Sequence, residues 1–158
     1  YSVARIYRKF FGVKIGHNVR FTGKKISFGS EPYLVEIGND VTITSGVKFE
    51  THDGGAGVFR KEYPGINIFG QIIIGNNVFI GHDVKIMPHV KIGNNVVIGA
   101  GSIVTKDIPN NVVVVGIPAR VIKSMEEYKD KVLKNAIFVK EKNFRKRKQI
   151  IQEKLKKL

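Results

Sequence analysis

Four histidines, His17, His52, His82 and His89, are the side chains in this 158-residue sequence best suited to move a proton near neutral pH. There are no cysteines, which removes a thiol nucleophile, a thiolate metal site and a disulfide framework together. Three of the histidines fall inside a short recurring pattern, at slots where other copies carry Asn or Asp, and read as turn residues. His52 stands where that pattern stops and a glycine-rich stretch begins, and its position alone reads either as a solvated loop histidine or as a general base at the junction of scaffold and loop. Its neighbours Glu50 and Asp53 are the carboxylates that could hold the second ring nitrogen and orient the imidazole. Glu50 reads equally as a surface acid, because alternation along a strand points it away from the apolar Phe49.

The element that must carry these residues is set by the recurring pattern. From Ile74 the chain falls into blocks of six: IGNNVF, IGHDVK, IMPHVK, IGNNVV, IGAGSI, VTKDIP. The first slot holds Ile74, Ile80, Ile86, Ile92, Ile98 and Val104, and the fifth holds Val78, Val84, Val90, Val96, Ser102 and Ile108, all apolar or small and therefore inward-facing. The fourth slot holds Asn77, Asp83, His89, Asn95, Gly101 and Asp107, types that accept a left-handed backbone or form side-chain turns. Each block is a short strand followed by a bend, in unbroken register, and three bends close a triangular coil of about eighteen residues per turn. IGHNVR from Ile15 and IGNDVT, ITSGVK from Ile37 repeat the pattern earlier, with Phe49 in the next inward slot. An antiparallel sandwich would need an apolar third slot, which holds Asn76, His82, Pro88, Asn94, Ala100 and Lys106 instead.

Three segments follow. Residues 1–14 form an N-terminal segment predicted to be helical, 15–122 form the β-coil with an inserted loop at 52–72, and 123–158 form a basic helix or tail. The loop, HDGGAGVFRKEYPGINIFG, is glycine-rich, aromatic and charged, and suits a flap protruding from a rigid scaffold. After the coils, Met125, Tyr128, Val132 and Ile137 follow helical spacing, predicting a C-terminal helix that covers the open edge of the last coil. The final fifteen residues read as a frayed helix or disordered.

These blocks resemble the hexapeptide-repeat acyltransferases, the sugar, xenobiotic and polysaccharide O-acetyltransferase group. The resemblance covers about residues 15–123 and implies an all-β solenoid, a left-handed parallel β-helix, that assembles as a homotrimer. It implies acetyl-CoA as co-substrate and no metal. Members carry a catalytic histidine before a loop with a Pro-aromatic segment and a block like Ile74–Val78, and His52 precedes Tyr63-Pro64 and Ile74-Gly75-Asn76-Asn77-Val78 in that order. IGAGSIVTKDIPNNVVVVGIPARVI resembles the family's C-terminal signature; by that match Gly81, His82, Ala100, Thr105, Lys106, Arg120 and Lys123 contact acetyl-CoA. Glu31 and Tyr33 lie near where sugar acetyltransferases bind the acceptor. Phe79 stands in a block where relatives often have Trp, which bears on acceptor preference. The oxyanion donor is expected to be a backbone N–H near Gly81 of a neighbouring subunit.

The formal charge is +14, and the tail from Lys123 holds 13 Lys/Arg against 5 Asp/Glu. Arg145-Lys146-Arg147-Lys148 with Phe138 and Phe144 could contact nucleic acid, but peripheral contact with an anionic membrane is the preferred reading. No apolar stretch is long enough to span a bilayer, and no signal-peptide core precedes the repeats, so a cytoplasmic location, at the inner face of the membrane, is expected. Two other functions remain open at this point: N-acetylation of an amino sugar, and a non-catalytic or metal-binding repeat protein. The metal reading is weakened because His82 and His89 lie seven apart and so fall on adjacent faces.

Overall fold

In the computed structural model the described residues are 3–156. The chain begins with α1 (Val3–Phe11), then β1 (Lys14–Ile15), β2 (Arg20–Phe21), β3 (Val35–Ile37), β4 (Thr42–Ile43) and β5 (Lys48–Phe49). The inserted loop is bounded by β6 (His52–Asp53) and β7 (Ile68–Phe69). Then come β8 (Ile72–Ile74), β9 (Val78–Ile80), β10 (Lys85–Ile86), β11 (Lys91–Ile92), β12 (Val96–Ile98) and β13 (Ile103–Val104). The chain finishes with β14 (Val112–Gly116), β15 (Ala119–Ser124), α2 (Met125–Asn135) and α3 (Phe144–Leu155).

Successive strands visit three sheets in turn. β1, β3, β8 and β11 stack in parallel as a first face, β2, β4, β9, β12 and β14 as a second, and β5, β10 and β13 as a third. The result is a three-sided parallel coil whose interior is filled by the first and fifth slots of the blocks. Ile74, Ile80, Ile86 and Ile98 are each at most 1% exposed, as are Val84 and Val96. Branched side chains suit this position because they are stiff and pack well on a pleated surface buried from behind. The bends use the left-handed conformation foreseen for the fourth slot: Asn77, Asp83, His89 and Asn95 have φ between 53° and 67°.

One corner is held by an asparagine ladder. The Asn39, Asn76, Asn94 and Asn110 side chains accept the backbone N–H of His17, Asn39, Asn76 and Asn94 at 2.7–3.0 Å, across separations of 22, 37, 18 and 16 residues. Eighteen is the regular coil; 22 includes the 3-10 turn Pro32–Leu34, and 37 includes the inserted loop. Glycine precedes Asn39, Asn76 and Asn94 for lack of space, and proline precedes Asn110: a Cβ on Gly75 would lie 2.6 Å from the Gly93 carbonyl oxygen.

The separation of 16 corrects the unbroken register. Ile108 bridges to Ile92, a first-slot residue, rather than stacking on the fifth-slot Val90. The cause is Asp107, whose carboxylate accepts the Lys91 N–H at 2.8 Å and turns the chain early. Asn111, not Asp107, takes the left-handed conformation there, with φ 61°.

At the N-terminal end the core becomes aromatic. Phe49 is in register with Ile86, and Ile86 with Val104, along the third face. Phe28 stacks on Phe49 with ring centroids 5.0 Å apart, and Tyr7 of α1 lies over Phe28 at 4.2 Å. Arg8 secures the same helix by donating to the carbonyls of Ile15 and Gly16. At the other end β15 folds back antiparallel on β14, so strand continues to Ser124, where the spacing had predicted the start of the basic helix or tail at 123.

From Glu126 onward the chain is a separate unit. α2 ends at Asn135, before Ile137 of the expected stripe, and neither α2 nor α3 buries a side chain. Of the final fifteen residues, read as a frayed helix or disordered, Phe144–Leu155 are helical and 157–158 lie outside the described residues; the Asn143 side chain caps the helix by accepting the N–H groups of Arg145 and Lys146 at 3.1 and 3.2 Å. No described helix is long and apolar enough to cross a membrane.

Candidate active site

His52 is placed by the junction of coil and loop. Phe49, Thr51 and Gly70 are buried at this junction, and the Gly70 N–H donates to the Thr51 carbonyl at 2.9 Å, so the loop leaves and re-enters the coil at one point. Immediately outside, His52 of β6 pairs in antiparallel register with Phe69 of β7. The Phe69 ring stacks on the imidazole with centroids 4.9 Å apart. The loop root is seated on the next coil: a Cβ on Gly70 would lie 2.6 Å from Pro88 Cβ and would also meet His89.

The imidazole is half-buried, and its Nε2 atom is wholly buried without a hydrogen-bond partner among the described residues. A buried, unpaired ring nitrogen is costly in free energy and suits a base that receives a proton from a bound partner. The carboxylates expected to orient it do not do so. Asp53 is exposed and accepts the Gly55 N–H at 2.9 Å, capping the 3-10 turn Gly54–Phe59. Glu50 is half-buried, its backbone N–H donates to the Ile86 carbonyl at 2.9 Å, and no described hydrogen bond joins its side chain to His52. The ring contact to Phe69 is what the structure provides instead.

Glu31 comes close to this junction through the backbone. Its N–H donates to Thr51 Oγ1 at 3.2 Å, and its carboxylate accepts the Ser30 hydroxyl. Thr51 is fully buried and is the polar link between the Glu31 turn and the residue before His52. Tyr33 is 62% exposed and its Cβ lies against Gly12, on the α1 side of the 3-10 turn. Phe79 is exposed on the second face, in register with Thr42 and Val97, away from the His52 corner.

The residues matched to acetyl-CoA binding divide into three places. Gly81, His82 and Ala100 form the corner between the second and third faces, and Thr105 and Lys106 the corner between the third and first. Arg120 and Lys123 lie on β15, in register with Val115 and Val113. His52 leaves from the third-to-first corner, so Gly81 and Ala100 stand at the opposite edge of the third face from it. Within one chain the two groups are separated by the width of that face. Gly81 packs directly below Ala100, where a Cβ would lie 2.6 Å from the Ala100 nitrogen, and Gly101 above faces open space with φ 71°. This step carries little side-chain bulk, and Lys106 and Arg120 are exposed cations elsewhere on the coil. The Gly81 N–H donates to the Ile98 carbonyl at 2.9 Å, so it is committed to the coil and is not available as an oxyanion donor. His17 and His82 are exposed at bends, and His89 is a bend residue beneath Gly70.

Thr51 and Phe69 are the site residues that sequence reasoning missed. The signal for Thr51 was its place two after the inward-facing Phe49; nothing in the aperiodic loop marks Phe69.

Comparison with known proteins agrees with the coil. The family described as bacterial transferase hexapeptide (six repeats) matches residues 71–106. Protein CapG of Staphylococcus aureus is 56% identical over 146 residues, covering 92% of this chain and 85% of that protein. A maltose O-acetyltransferase from Clostridium difficile 630 superposes with TM-score 0.56 at 36% identity, covering 77% of this chain and 73% of the other. A galactoside acetyltransferase in complex with coenzyme A superposes with TM-score 0.60 at 33% identity, covering 80% and 72%. With the six-residue blocks, the three-sided coil and these relatives together, the chain belongs to the hexapeptide-repeat acetyltransferases.

Proposed function

We propose that this enzyme transfers an acetyl group from acetyl-CoA to a hydroxyl of a sugar in a surface-polysaccharide precursor, with His52 as general base. The observation that carries this reading is the buried Nε2 of His52, without a hydrogen-bond partner among the described residues, at the junction where the coil opens into its long loop. The solved relatives that act on maltose and galactoside, one of them bound to coenzyme A, support a sugar acceptor and this donor. The coil is read as left-handed, as in that family.

The neutral imidazole accepts the proton of the acceptor hydroxyl as its oxygen bonds to the acetyl carbonyl carbon. The carbon–sulfur bond breaks, and the imidazolium returns the proton to the departing thiolate sulfur. No group of the enzyme is acylated. Phe69 holds the ring in plane, and the Glu31 turn, tied to Thr51, lines the acceptor side. Because His52 and the Gly81–Ala100 step lie at opposite edges of one face, the site is completed between copies in a homotrimer, each supplying one edge. The reaction is assigned to the cytoplasm, where the donor is made.

Replacing His52 by Ala tests the reading. Removal of a general base should lower kcat by about two to four powers of ten, with KM for acetyl-CoA little changed. A loss under about threefold would exonerate His52. Paired hydroxyl and amino sugars as acceptors separate O- from N-transfer, and preference for the amine would overturn the hydroxyl assignment.

A further inference from the structure

Helix α1 is amphipathic in a way that packing does not use up. Tyr7 faces the coil and lies on Phe28, with Phe11 at 5.4 Å from Tyr7. Ile6 and Phe10, four apart on another face, stay 38% and 70% exposed, and Phe11 is 48% exposed at the helix end. Lys9 reaches over the Phe10 ring, its Nζ 5.4 Å from the centroid. Beside this stripe a groove of about 350 Å³ is lined by Ile6, Tyr7, Phe11 and Ile26 together with Lys24 and Lys25.

The sequence at this face is strongly basic, and the acids that the fold brings near it are Glu31, at the start of the Pro32–Leu34 turn, and Glu36, which is paired with Lys14. Residues 1–30 contain seven Lys/Arg and no Asp or Glu. Some of these cations are occupied: Arg8 binds backbone carbonyls, Lys14 pairs with Glu36 at 3.3 Å and Arg20 binds Thr42. Lys9, Lys24 and Lys25 remain around the exposed aromatic stripe. Lys25 sits at a bend with φ 60° next to Lys24, so both ammonium groups project at the end of the coil that α1 covers.

We propose that this end of the molecule is a docking surface for an anionic phospholipid bilayer. Phe10, Phe11 and Ile6 enter the headgroup boundary while Lys9, Lys24 and Lys25 meet lipid phosphates. The chemistry matches an interfacial helix: apolar and aromatic groups on one face, Lys or Arg flanking them, and an excess of cations over acids. A protein partner would need an acidic patch with an apolar centre; a bilayer presents both as a continuous sheet. No described hydrogen bond or ring contact joins Ile6, Lys9, Phe10, Lys24 or Lys25 to His52, and the proposal does not rest on the reaction assigned there.

The test is flotation of the full chain with vesicles of phosphatidylcholine alone and of phosphatidylcholine mixed with phosphatidylglycerol. The wild type should bind only the anionic vesicles and be released by salt. The double variant Lys24→Glu/Lys25→Glu should weaken binding by about tenfold or more. Phe10→Glu, at a position mostly exposed and so harmless to the core, should weaken it comparably, with the circular dichroism melt and the transfer rate to a soluble acceptor unchanged. Four results would overturn the proposal: no binding by the wild type, equal binding to neutral vesicles, binding that survives these variants but is lost on deleting Lys140 to Leu158, or a change in oligomeric mass with Phe10→Glu, which would make the face a contact between copies.

Discussion

The Phe69 ring lies against the His52 imidazole with centroids 4.9 Å apart and planes 25° from parallel. The two residues are also backbone partners across the antiparallel pair that closes the loop. In the role proposed for it, a His52 without a carboxylate on its second nitrogen would be aimed by packing, and this stack is the packing available. An aromatic pair of this kind contributes about 0.5–1.5 kcal/mol beyond area burial, which sets the scale of its loss.

Phe69→Ala should therefore lower kcat by up to about tenfold while leaving KM for acetyl-CoA nearly unchanged, because the ring acts through His52. Phe69→Tyr should restore most of the rate. Steady-state kinetics on the three proteins decides it, and a variant raising only KM would show that Phe69 binds substrate rather than positioning the base.

The scaffold was far more legible than the site. The first and fifth slots of each block write the interior directly, since an inward Ile or Val recurs at the same point of most coils, with Phe49 and Ser102 as exceptions. Legibility failed at Asp107 because an Asp in the fourth slot is compatible with either a left-handed bend or a side-chain cap, and only the contact with Lys91 decides between them. It failed again at β15, whose pairing depends on a hairpin and not on the repeat. His52 stood out because it interrupts a pattern. Phe69 did not, because its register with His52 crosses an aperiodic loop, and neither did the Glu31 to Thr51 bond, which joins residues twenty apart.

Gly70 makes a second prediction about the loop root. An added methyl would press on Pro88 and on the His89 backbone, neither of which is the loose end of a flexible side chain. Gly70→Ala should cost about 1–3 kcal/mol, as overpacking does. Gly54, by contrast, has nothing within 4 Å of a built Cβ and a backbone that needs no glycine, so Gly54→Ala should stay within about 0.5 kcal/mol of wild type. Urea midpoints at constant m compare the two, and equal effects would mean that the loop root is not seated on the next coil.

The placement of His52 and Ala100 at opposite edges of the third face leads to a complementation experiment. His52→Ala removes the base and leaves the Gly81–Ala100 step intact. Ala100→Glu places a charged side chain on that step at an exposed position and leaves His52 intact. Each protein alone should be nearly inactive. If the sites form between copies, co-refolded mixtures contain interfaces that join a wild-type His52 edge to a wild-type Ala100 edge, and activity should reappear well above that of either parent. If one chain held the whole site, every site would carry one lesion or the other, and mixing would restore nothing. Transfer rates measured across mixing ratios, with the oligomeric mass checked at each, distinguish these outcomes: a maximum near equal proportions is expected, and a flat line at the parental level would place the site within a single chain.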